Sequence, residues 1–120
     1  MTVAQNIAQP TMDVRPIAGT IGAEIHGIDL SKAMSEDEFA GVHQVFLEYL
    51  VIFLPDQAAI DPDRLKDFAG RFGDIDMAPF AHPLKMPLIE GHPEILNLVT
   101  EATNRAVNNG GFWHSDVTYR

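Results

Sequence analysis

The apolar positions change period several times along the chain, and each change marks an element. Residues 14–17 (Val-Arg-Pro-Ile) and 23–28 (Ala-Glu-Ile-His-Gly-Ile) read as two short strands, with Gly19-Thr20-Ile21-Gly22 turning between them. His26 alternates with Ile25 and falls on the polar side of its strand, either as a solvated histidine or as a ligand. Ser35 then opens a helix. Ser35-x-x-Glu38 is a capping box, and Glu36 and Asp37 suit the positive end of the helix dipole. Phe39, Val42, Phe46, Tyr49 and Leu50 recur at helical spacing and predict its apolar face, with His43 at the edge of that face. Val51-Ile52-Phe53-Leu54 follows without a polar break and predicts a buried strand ended by Pro55. Asp61 and Pro62 start a second helix with the stripe Leu65, Phe68, Ala69 and Phe72, and Gly73 is placed to cap it in the left-handed conformation. Residues 74–93 carry four prolines and two His-Pro pairs, at His82 and His92, and read as a long loop. Residues 95–99 predict another strand. Residues 101–111 are a polar, Asn/Gly-rich loop delivering the chain to its last apolar stretch.

That stretch is Gly110-Gly111-Phe112-Trp113-His114-Ser115-Asp116-Val117-Thr118-Tyr119-Arg120. Trp, Val, Thr and Tyr favour a strand. Side chains alternate along a strand, so Trp113, Ser115, Val117 and Tyr119 share one face and His114, Asp116 and Thr118 the other. An imidazole and a carboxylate on one face of a rigid element can supply two of the three ligands of a 2-His-1-carboxylate iron site. A surface strand with a His and an Asp facing water would show the same short triplet.

Composition narrows the chemistry. The absence of cysteine removes disulfides and thiolate metal sites, so any metal must take His, Asp, Glu or backbone oxygen. A net charge of −9 argues against nucleic acid as a partner, since that needs a basic surface. No apolar run reaches the roughly 18 residues of a membrane span. Residues 1–12 lack a basic start and an apolar core, so they read as a mobile polar leader rather than a secretory signal. A cytoplasmic location follows as the default. There is no internal repeat, no phosphate-binding glycine loop and no Ser-His-Asp spacing.

Four blocks bring a family into view. They are Ile21-Gly22-Ala23-Glu24-Ile25-His26-Gly27-Ile28-Asp29-Leu30, then Val51-Ile52-Phe53-Leu54-Pro55-Asp56-Gln57, then Phe68-Ala69-Gly70-Arg71-Phe72-Gly73-Asp74, then Phe112-Trp113-His114-Ser115-Asp116-Val117-Thr118-Tyr119. In this order the chain resembles the N-terminal part of the taurine dioxygenase-like (TauD/TfdA) family of Fe(II)- and 2-oxoglutarate-dependent dioxygenases. The resemblance implies an α+β, mainly β fold: the N-terminal part of a double-stranded β-helix, jelly-roll-like, with two flanking helices. Residues 13–120 would be the N-terminal portion of the dioxygenase domain, with its C-terminal portion absent. The resemblance also implies His114 and Asp116 as iron ligands, with 2-oxoglutarate and O2 as co-substrates. Substrate oxidation would then be coupled to release of succinate and carbon dioxide. Asn108, Asn109, Trp113 and Thr118 are the candidate contacts to substrate and co-substrate. The partner is a small organic molecule, an anionic one included, and a complete chain would be compatible with a family-like homo-oligomer.

Two departures qualify the resemblance. The family's distal histidine and the arginine that pairs with 2-oxoglutarate lie far downstream of the His-x-Asp strand, whereas His26, His43, His82 and His92 all precede it. The 120 residues alone are therefore expected to be catalytically silent. Taurine-using members carry a His and a Tyr after the Arg-Phe-Gly block, where this chain has Asp76-Met77-Ala78-Pro79-Phe80-Ala81, which argues against taurine as substrate. Two non-catalytic readings stand beside the enzyme: an inactive truncated product, and a small acidic binding module in which His114 and Asp116 are surface residues.

Overall fold

The computed structural model describes residues 12–75, 87–99 and 113. The chain divides into two compact units, Met1–Phe72 and Gly73–Arg120.

In the first unit, β1 (Asp13–Pro16) and β2 (Ala23–His26) pair antiparallel, with Asp13 opposite His26 and Pro16 opposite Ala23. Ile17 N–H donates to the Gly22 carbonyl at 2.9 Å and closes the turn. Gly22 has φ of 90°, a conformation that only glycine adopts at little cost. Both strands are shifted or shorter relative to the sequence reading, yet Ile28, beyond the end of β2, is still buried.

Helix α1 (Glu36–Tyr49) begins where the capping box places it. Glu38 N–H donates to Ser35 Oγ at 3.2 Å, and Ser35 N–H donates to Glu38 Oε2 at 2.8 Å. The helix leads into β3 (Ile52–Phe53), which lies parallel to β2 with Ala23 opposite Ile52 and Glu24 opposite Phe53. The sheet order is therefore β1-β2-β3, with α1 as the crossover of a βαβ unit.

The core is built by one face of this sheet and one face of α1. Ala23, Ile25, Ile28, Leu30, Val42 and Val45 are buried, with Met12, Val14, Tyr49, Ile52, Leu54 and Phe68 packed against them. Ile25 and Val42 are completely enclosed, each worth about 1.5–3 kcal/mol of apolar burial. Met12, assigned from sequence to the polar leader, is thus packed.

Three features of the sequence reading change here. Val45, not Phe46 or Leu50, completes the buried stripe of α1; Phe46 lies outside that core, against Phe72, and Leu50 is exposed. Leu50 is the C-cap itself, with φ of 65°, its N–H donating to the Phe46 carbonyl at 2.8 Å. The strand after it is buried on one face only: Ile52 and Leu54 pack inward while Val51 and Phe53 are exposed.

Helix α2 (Pro62–Gly70) starts as read, with Asp61 accepting from Arg64 N–H at 2.8 Å and Pro62 in the first turn. Its end differs. Arg71, right-handed at φ of −74°, is the cap, and Arg71 and Phe72 close a tight last turn onto Phe68 and Ala69. Gly73 makes no left-handed cap. Phe72 instead meets Phe39, Phe46 and Phe68 edge-on at ring separations of 5.0, 5.6 and 5.3 Å, joining α2 to α1.

The second unit contains a hairpin that the sequence reading missed inside its proline-rich loop. Strand β4 (Leu88–Ile89) pairs antiparallel with β5 (His92–Leu96), with a register shift between Leu88 and Ile89. Gly91, at φ of 76°, makes the turn. The strand expected over 95–99 therefore begins earlier and ends at Leu96. Together the described elements form a small mixed sheet, two helices and this hairpin.

Candidate functional site

Of the candidate site residues, only Trp113 is among those described, and its side chain is fully exposed. His114, Asp116, Asn108, Asn109 and Thr118 lie outside the described residues, as does the 76–81 segment that bears on substrate choice.

Two of the described histidines, His26 and His43, are engaged elsewhere. His26 Nε2 sits 2.8 Å from Glu24 Oε2 on the outer face of β2, so it is a paired, partly covered side chain rather than a merely solvated one. His43 lies against Phe39 and Phe72, with ring centroids 5.8 and 5.9 Å away. Among the described residues no group of three His, Asp or Glu side chains is placed to hold a metal ion.

What the described part builds is a frame. Gln57, in the turn after β3, reaches back across the fold. Its Oε1 accepts from Leu30 N–H at 2.8 Å, and its Nε2 donates to the Ile28 and Pro55 carbonyls at 2.8 and 2.9 Å. Three backbone groups at the edge of the core are satisfied by one amide, which fixes the chain after β2 to the chain after β3. Nothing in the sequence pattern flags this, because the partners are 27 and 29 residues away.

Arg71 makes a second clamp. Its Nη1 donates to the Met34 carbonyl at 2.9 Å, and its guanidinium carbon lies 4.3 Å from the centre of the Phe39 ring. Beside it lies a hollow of about 200 Å3, lined by Leu30, Lys32, Met34, Arg64, Phe68 and Arg71. Each of its cations already faces a carboxylate: Lys32 faces Asp29, Arg64 faces Asp67 and Arg71 faces Glu36. The hollow is electrostatically self-compensated.

Among the described residues no helix is long and apolar enough to cross a membrane.

Comparison with known proteins places this frame. The sequence is 33% identical over 108 residues to an alpha-ketoglutarate-dependent sulfate ester dioxygenase of Pseudomonas putida, covering 90% of this chain and 33% of that protein. It is 33% identical over 118 residues to an alkylsulfatase of Acinetobacter baylyi, covering 98% of this chain and 34% of that one. The fold overlays on a taurine dioxygenase structure from Burkholderia xenovorans with a TM-score of 0.60 at 30% identity, covering 70% of this chain and 28% of the other. The chain thus spans about one third of the length of the curated relatives it matches. The model of the taurine catabolism dioxygenase TauD, TfdA family matches residues 13–120. The chain belongs to the TauD/TfdA family.

Proposed function

We propose that the protein carrying this chain is an Fe(II)- and 2-oxoglutarate-dependent dioxygenase that oxidises a small organic anion. The observation that carries the reading is the family match over residues 13–120, which takes in the His114-x-Asp116 triplet.

His114 would bind iron through a neutral ring nitrogen and Asp116 through its ionised carboxylate. One nitrogen and one oxygen donor are a set that suits ferrous iron and leaves positions open for co-substrate. The described residues offer no rival cluster for the metal. When bound, the iron supplies the dioxygen chemistry that couples substrate oxidation to conversion of 2-oxoglutarate into succinate and carbon dioxide. Asn108, Asn109, Trp113 and Thr118 would contact substrate and co-substrate around these ligands. The frame in residues 12–75 would serve as support: the Gln57 and Arg71 clamps fix the helices and strands relative to one another.

The substrate class we favour is the alkyl sulfate ester. Two relatives bear names of that chemistry. The test is succinate release across sulfate esters, sulfonates including taurine, and aryloxy acids. A sulfate ester as best substrate is the expected result, and taurine as best substrate would overturn this assignment.

A further inference from the structure

We draw no further inference here: the strongest candidate, the hollow beside α2 lined by Lys32, Arg64 and Arg71, points to no ligand, because each of these cations already faces a carboxylate and nothing in the structure shows what covers it.

Discussion

Arg71 Nη2 lies 2.7 Å from Glu36 Oε1, an ion pair that ties the end of α2 to the first turn of α1. Glu36 is almost fully exposed while Arg71 is largely covered, so most of the energy resides with Arg71's other partners, the Met34 carbonyl and the Phe39 ring. Arg71→Ala is expected to cost about 1–3 kcal/mol, through a lost charged hydrogen bond and cation–π contact. Glu36→Gln should cost less than about 0.5 kcal/mol, as exposed ion pairs do. Urea denaturation of both variants checks the ranking, and equal losses would contradict it.

Gln57→Ala removes one side chain and leaves the Leu30 N–H and the Ile28 and Pro55 carbonyls without it. A loss of about 2–3 kcal/mol is expected, since unsatisfied partly buried backbone groups keep their desolvation cost. Gln57→Glu should also destabilise, because it replaces the Nε2 donor by an oxygen facing two carbonyls. Thermal unfolding of the two variants reads this directly.

The Asp29 carboxyl is held below its ordinary value of 3.8, first by the Ser31 hydroxyl, then by Lys32 and the Ser31 N–H. A carboxyl whose folded pKa is depressed binds fewer protons folded than unfolded. Its contribution is therefore complete above 3.8 and lost as pH falls through the lower folded value. Asp29→Asn should be less stable than the parent at neutral pH and converge with it in acid. A difference that is constant with pH would refute the assignment.

What the sequence made legible was local. The Ser35–Glu38 box, the Asp61-Pro62 start and the turn ending at Gly22 depend on residues within a few positions of one another, and the structure has all three. Long-range outcomes were not legible. Helical spacing alone could not decide between Val45 and Phe46 for the buried stripe, because adjacent positions differ by only 100° around the axis. The docking of β2 settles it. The hairpin at Leu88–Leu96 was hidden by Pro87 and Pro93, which punctuate a loop and a short bulged strand alike. The Gln57 clamp joins residues too far apart to pattern. The family was legible through the four-block resemblance, which the family match bears out, whereas His114 and Asp116 lie outside the described residues.

The central claim concerns those two ligands. Without oxygen, Fe(II) and 2-oxoglutarate added to the whole protein should give the visible charge-transfer absorption of the metal-bound 2-oxo acid, and admitting oxygen with substrate should release succinate. His114→Ala and Asp116→Ala should each abolish the band, as should use of residues 1–120 alone, where only two of the three ligands are identified. An unchanged band and undiminished succinate in both variants would contradict the account.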